Sequence, residues 1–478
     1  KWQVQIILDD INEAMEGDVI LISGIHTETV SFGKSVILRG SDPTTDIIQA
    51  AENPSTDGTG TSVINVVRAD DADVLNVTIE NLGIRNGNAA DNNGGGINVD
   101  KVTDLITLSN LIIEDNYSSS NGGGLAIAGS NALVLGCTIQ NNSSALDGGG
   151  IIVAPNNGTS IDSSIEFNQS LIHNNSGRNG GALYINGNPN FGNDNKINVE
   201  IVNTTISENS SFSPGGGNGG GAIWTRSVNW TGDASPSPNV TLSLVHATVY
   251  NNTHASDVKN GLQFGAANDN VAANFSAYNS IIVSADLPAQ KALNFINTNT
   301  TNVVNCILGG LQNAGPFLSI IDDENNNNEK GRTATFAGIT TGLTDQGGNT
   351  NVFAIDENSN SVEYSTSDTG LDLPTVDQRN YNRVGIPDAG AFEFDGVLST
   401  RNLVAPNFNV YPNPTSGMIN IEGVNNSVKN VKIYSITGVF QKQINDAAFN
   451  ISDLTSGVYI LKITTNDNRV VNQKIIKK

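Results

Sequence analysis

Two short motifs recur through the middle of this chain and keep pace with each other. The first is a glycine pair or triplet ahead of an apolar residue: Gly94-Gly95-Gly96-Ile97, Gly122-Gly123-Gly124-Leu125, Gly148-Gly149-Gly150-Ile151, Gly180-Gly181-Ala182-Leu183 and Gly220-Gly221-Ala222-Ile223. Their first residues lie 28, 26, 32 and 40 positions apart. The second is Ile/Val-x-x-Asn, at Ile113/Asn116, Ile139/Asn142, Ile172/Asn175, Ile206/Asn209 and Val249/Asn252, spaced 26, 33, 34 and 43. Independent motifs sharing one stretching period define a single structural unit with loops inserted into it. The longest insertion, Asn229 to Asn239, is rich in Pro, Ser and Gly and reads as a loop.

Each repeat carries at least two apolar runs of three to five residues bounded by Gly or Asn, too short for helices. Leucine-rich repeats would show Leu at fixed offsets, and propeller blades need four strands each. A parallel β-helix satisfies the pattern, with one coil per repeat and inward Ile, Leu and Val stacking into a continuous core. Gly at a corner supplies positive φ or close approach of neighbouring coils. Asn tolerates the left-handed region and can hydrogen-bond to its equivalents above and below. About twelve coils at about 4.8 Å each are expected. Gly94, Gly122, Gly148, Gly180 and Gly220 are thus expected as turns, and Asn116, Asn142, Asn175, Asn209 and Asn252 as rungs of a ladder.

Ahead of the repeats, Val4, Ile7, Leu8, Ile11 and Met15 form one helical stripe, suited to capping the open end of a solenoid. The chain opens on Lys1-Trp2 without Met or a basic and apolar leader, which places any signal peptide upstream. No apolar run of about 18 residues occurs, so no transmembrane segment is expected. A net charge of −23 argues against nucleic acid. That charge is uneven: residues 402–478 carry 8 basic against 4 acidic residues, a net of +4, so a boundary near residue 400 follows. Cys137 and Cys306 would sit about five coils apart, far beyond the ~7 Å reach of a disulfide, and are expected as free thiols. Past residue 404, strands alternate about turns at Pro412-Asn413-Pro414, Thr437-Gly438 and Asn466-Asp467-Asn468, the pattern of a small antiparallel immunoglobulin-like β-sandwich.

Two resemblances sharpen this reading. The N-terminal INEAMEGDVILISG, the glycine and Ile-x-x-Asn coils, LTDQGGNT at 343–350 and VDQRNYNRVGIPDAGAFE at 376–393 resemble secreted right-handed β-helix proteins with chlamydial outer-membrane-like repeats and a choice-of-anchor Q region. Asn380 departs from that pattern, standing where glycine is usual. The C-terminal segment resembles the type A sorting domain of the type IX secretion system, through Tyr411-Pro412-Asn413-Pro414, Gly417, Gly438, Gly457 and Tyr459 of SGVY, and the basic tail with Lys474, Lys477 and Lys478. This second resemblance implies a Gram-negative source, recognition by the translocon, shuttle and sortase of that system, transit through the periplasm, and release or attachment at the cell surface. The expected layout is a cap at 1–22, a parallel β-helix at 23–335, closing coils at 336–396, a linker at 397–404 and the sorting domain at 405–478.

Chemistry is harder to place. A β-elimination site needs a Lys or Arg base with cations or calcium-binding carboxylates. The basic residues of the coils, among them Arg68, Arg85, Arg178 and Arg226, do not recur in step with acidic clusters, so no catalytic residue is assigned. Asp70, Asp71 and Asp73, and Asp323-x-Asn325-x-Asn327, suggest calcium, yet Asn328 and Ala334 occupy the Gly and Glu positions of a calcium loop. No metal or other cofactor is assigned. His26, His173, His246 and His254 fall on different coils. Trp224, Trp230 and Tyr250 are the candidate glycan contacts, as aromatic faces that stack on sugars. The expectation is a monomeric, surface-displayed binding or adhesive protein facing glycans or host and environmental surfaces. The alternatives are a polysaccharide lyase or hydrolase and a passive spacer.

Overall fold

The computed structural model describes residues 7–68, 75–90, 93–102, 104–155, 162–187, 195–213, 219–227, 239–255, 262–264, 273–284, 291–295, 298–312, 314, 318–339, 342–398, 408–423, 428–435, 440–465 and 470–478. The chain divides into two compact units, Lys1–Leu398 and Ser399–Lys478.

Unit one is a parallel β-helix. Three 10-stranded parallel sheets run along it: sheet I from Val19–Leu21 to Thr298–Val304, sheet II from Ile25–Thr27 to Ile307–Leu308, and sheet III from Val30–Phe32 to Gly310–Gln312. A 6-stranded sheet IV, from Asn88–Ala89 to Thr253–His254, lies between II and III in each coil it joins. From Ile47–Gln49 onward the second residue of each sheet II strand faces inward, so Ile48, Ile84, Ile113, Ile139, Ile172, Ile206, Val249, Ile282 and Leu308 form one buried stack. Burying such a side chain stabilises by about 1.5–3 kcal/mol. The stretching of the repeat falls largely between sheets III and I, where the connections 155–162, 188–196 and 228–239 grow while the strands stay in register. Helix α1 (Ile7–Glu13) closes the first coil with buried Ile7 and Ile11. Met15, placed on its stripe by periodicity, lies beyond the helix and is 74% exposed.

Both motifs take up corners. Asn116, Asn142, Asn175, Asn209 and Asn252 are buried, each Nδ2 donating to the next Oδ1 at 3.0, 3.0, 2.9 and 2.8 Å. Gly94, Gly122, Gly148 and Gly180 have φ between 61° and 73°, whereas in the fifth motif the positive φ falls on Gly219 rather than Gly220. The middle glycine is constrained by neighbours instead: a Cβ on Gly123 would lie 2.2 Å from the Ser143 carbonyl oxygen and 2.5 Å from that of Gly149. Cys137 and Cys306 are free and buried, and burial pushes both thiols up to about 12.

Past Gln312 the coiling stops. Asp323 caps the short helix Glu324–Asn326 through the Asn325 amide, and Asn328 accepts from the Cys306 amide at 3.0 Å. Residues 342–396 run back across the outer face of sheet II and add no strand to sheets I–III. The cause is apolar: Val352, Phe353, Ile355, Ala389 and Phe392 bury the outward Ile281, Val283 and Ile307 in a second core. Gln169 Nε2 donates to the Asp377 carbonyl at 3.1 Å, Thr205 Oγ1 to Gln378 Oε1 at 2.6 Å, and the Ala391 amide to Thr248 Oγ1 at 2.9 Å. Beneath this strap lies an ion network. Arg379 pairs with Asp377 and lies 3.9 Å over the Phe392 ring, while Arg383 Nη1 donates to Glu393 Oε2 at 3.0 Å. Asn380 has φ 66°, a left-handed conformation that Asn tolerates better than most residues.

Unit two packs a 3-stranded antiparallel sheet (Phe408–Tyr411, Met418–Gly423, Ala448–Asn450) and a 4-stranded one (Val428–Ser435, Phe440–Ile444, Gly457–Thr465, Val470–Lys477). Ile419, Val431, Ile433, Leu461, Ile463 and Ile475 fill its core.

Candidate functional site

The third residue of each sheet II strand points outward, directly after the inward Ile or Val. Parallel pairing brings Thr27, Gln49, Arg85, Glu114, Gln140, His173 and Ser207 into one column. These side chains hold one another: Gln49 Nε2 donates to Thr27 Oγ1 at 2.9 Å, Arg85 Nε to Gln49 Oε1 at 2.9 Å, and Gln140 Nε2 to Glu114 Oε2 at 2.8 Å. His173 Nδ1 lies 3.3 Å from Ser207 Oγ and 3.6 Å from Glu208 Oε2. Burial holds the imidazole below its usual range, outweighing the opposite pull of Glu208. A second column borders the first, with Asn174 Nδ2 donating to Asn141 Oδ1 at 2.7 Å. Asp115, in that border, is raised by burial first and by Glu114 second.

Gln49 and Ser207 are buried, so the accessible donors and acceptors of the stripe are those of Arg85, Glu114, Gln140 and His173, one per strand spacing of about 4.8 Å. Among the described residues Arg85 makes no ion pair, and no three His, Cys, Asp or Glu side chains are placed to share a metal. Farther along, the column is covered: Tyr250 meets the strap residue Phe353 edge to ring at 5.0 Å.

Among the described residues the aromatic candidates do not form an exposed shelf. Trp224 is 4% exposed and stacks on Tyr184 with ring centroids 4.5 Å apart, because both belong to one outward column of sheet III that packs with Ala126 and Ile152. Tyr250 is held under the strap, and Trp230 lies outside the described residues. Asp70, Asp71 and Asp73 also lie outside them. In the other acidic loop the side chains turn to the chain itself, Asn325 and its amide to Asp323 Oδ1 and Asn327 Nδ2 to the Tyr364 carbonyl, which leaves no convergent oxygen cage. His246 is fully buried with Nε2 2.9 Å from Asn279 Nδ2, and burial drives its pKa well below the usual value. The stripe was within reach of sequence reading, since its members Arg85, Glu114, Gln140, His173 and Ser207 each follow the apolar residue of the repeat.

In unit two, Asn413 binds the Tyr-Pro-Asn-Pro turn to the last strand. Its Nδ2 donates to the Lys474 carbonyl and its Oδ1 accepts from the Ile476 amide, both at 2.9 Å. Both X-Pro bonds of the turn, Tyr411-Pro412 and Asn413-Pro414, are cis. Tyr459 Oη donates to the Thr455 carbonyl at 2.9 Å. Lys474 and Lys478 are exposed, Lys477 is 9% exposed, and Gly438 lies outside the described residues. A Cβ on Gly417 would come within 3.0 Å of Asn450 Oδ1, whereas on Gly457 nothing is nearer than 3.8 Å.

No described helix is long and apolar enough to cross a membrane. Over 130 residues the chain is 30% identical to an ulvan lyase, NLR42, of Nonlabens ulvanivorans, a match spanning 26% of this chain and 24% of that relative. The chain thus spans about a quarter of the length of that relative. The solved structure of the pectate lyase Pel9A aligns with a TM-score of 0.44 at 14% identity, over 80% of this chain and 90% of that one. Residues 409–478 match the secretion system C-terminal sorting domain, which marks this β-helix protein for export by the type IX machinery and for secretion or attachment at the cell surface.

Proposed function

We propose that the exported β-helix binds an extended glycan along the outer face of sheet II, in a binding or adhesive role at the cell surface. The observation that carries this is the column Arg85, Glu114, Gln140 and His173, in which successive coils present hydrogen-bonding side chains in register. A polysaccharide is a ligand with the matching property, repeating hydroxyls along a line. Binding of the full chain to immobilised acidic and neutral polysaccharides tests the reading. Arg85→Ala combined with Gln140→Ala is expected to weaken binding about tenfold or more, each lost hydrogen bond to a charged or polar partner costing about 1 kcal/mol or more. Unchanged binding in that variant, or none in the parent chain, sinks the proposal and leaves the passive spacer.

A second reading, a polysaccharide lyase, is supported by the likeness to the ulvan lyase over 130 residues. On that reading His173, kept neutral by burial, would be the base and Arg85 the partner of a uronate. The two stand three rungs apart, about 14 Å at strand spacing, which is too far for one elimination site and is why binding is placed first. Ultraviolet absorbance of unsaturated uronate on incubation with ulvan or pectin decides between the two.

A further inference from the structure

A second face carries its own cavity. On the outside of sheet III, near the N-terminal end, a cavity of about 430 Å³ is lined by Thr29, Val30, Ser31, Thr61, Ser62, Asn65, Val67 and Asn98. Ser31, Asn65 and Asn98 are register partners on three successive coils. Asn98 Nδ2 donates to Asn65 Oδ1 at 2.7 Å, and Asn65 Nδ2 donates to Ser31 Oγ at 3.1 Å. The relay has a direction: it ends at one side on the Asn98 carbonyl oxygen and at the other on the Ser31 hydroxyl hydrogen. Among the described residues neither of these ends has another partner. They are two rungs apart, about 10 Å.

We infer that this cavity is a subsite for an uncharged sugar, one or two residues long, distinct from the stripe on sheet II. Among the described residues no charged side chain lines it, which favours an uncharged ligand over a carboxylate or sulfate. What remains is an amide and hydroxyl wall able to donate at one end and accept at the other, with Val67 as an apolar surface for ring C–H groups. The volume falls in the range of about 300–1,000 Å³ usual for small-molecule sites. One-rung spacing between the Asn65 and Asn98 amides, about 4.8 Å, matches hydroxyls on alternate carbons of a pyranose. Along the same column the next positions are Ala126 and Ile152, both buried, so the hydrogen-bonding wall ends after three rungs. The subsite therefore takes a short unit or a chain end, where the sheet II stripe takes a continuing chain.

Calorimetry of the full chain with uncharged gluco- and xylo-oligosaccharides, and separately with oligoglucuronates, tests this. Asn98→Ala and Asn65→Ala are expected to weaken the uncharged series about tenfold and to leave the acidic series unchanged. Should alanine impair folding, Asn98→Gln keeps the amide while displacing it by one methylene, and is expected to weaken the uncharged series alone. Uncharged sugars that do not bind the parent chain, or that bind the Asn98 variants at parental affinity, overturn the subsite. Acidic oligosaccharide binding that survives such a result leaves the sheet II reading standing, so the two proposals fail separately.

Discussion

Asn142 donates through Nδ2 to Asn175 Oδ1 at 3.0 Å while its own Oδ1 accepts from both the amide and the side chain of Asn116. Its second Nδ2 hydrogen goes to the Ile113 carbonyl at 2.9 Å. Four groups of neighbouring coils thus depend on one buried side chain. Asn142→Ala is expected to cost about 3 kcal/mol, since leaving a buried polar group unsatisfied costs about 1–3 kcal/mol. Denaturant unfolding that differs from the parent by less than about 0.5 kcal/mol, the ordinary scale of a surface substitution, contradicts this account of the ladder.

Glycines of the two units differ in what holds them. Gly123→Ala forces a methyl group against the Ser143 and Gly149 carbonyl oxygens and is expected to cost about 3 kcal/mol or more. Gly457→Ala meets nothing closer than 3.8 Å and is expected to leave the melting temperature of the chain unchanged. Any loss of export in the Gly457 variant then reports on recognition by the secretion machinery, separated from folding by the same melting measurement.

The strap depends on a buried ion pair. Arg379→Ala would leave Asp377, which is fully buried, without its partner, and removing one member of a buried pair costs about 3–5 kcal/mol. The strap residues 343–394 are expected to become sensitive to proteolysis while the coils stay protected. Limited proteolysis with peptide mapping reads this out, and equal protection in the variant argues against the pair as the anchor.

Acidity should tighten the same strap. Burial pushes the Asp388 carboxyl up from 3.8 to about 6, against the pull of the Phe394 and Glu363 amides. Because the folded state holds this proton more tightly than the unfolded chain does, the contribution of Asp388 is fully present below about pH 4 and is lost as pH rises through about 6. A shift of this size corresponds to about 2–3 kcal/mol. Protection factors in 343–394, exchange rates corrected for their intrinsic base catalysis, are expected to fall between pH 4 and pH 7, and Asp388→Asn to flatten that change. A parental profile in Asp388→Asn would assign the pH response to another group.

Export rests on unit two. Removal of residues 409–478, the matched sorting segment, is expected to hold the β-helix in the periplasm. Asn413→Ala, which frees the turn from the Lys474 carbonyl and the Ile476 amide, is expected to lower export in part. Fractionation of cells and medium measures both, and full export of the truncated chain overturns the sorting role.

The solenoid was legible because its information is local and repeated. Five of the coils spell out a corner in a glycine motif and a rung in Ile/Val-x-x-Asn, so periodicity alone aligns Asn116 with Asn142. The stripe was half legible. Arg85 and His173 look isolated in sequence, and only their shared place after the inward Ile puts them in one column.

Local patterns along the chain suffice to show that it coils, where its sorting signal lies, and that its cysteines stay unpaired. Tertiary structure alone decided the rest. Gln169 meets Asp377 across 208 residues, and no period links them. The strap folds back because outward Ile281, Val283 and Ile307 offer an apolar face, an attraction that is non-directional and carries no motif. Trp224 likewise reads as an open aromatic until register sets it against Tyr184, since which side chains share a column depends on loop lengths that the strands ignore.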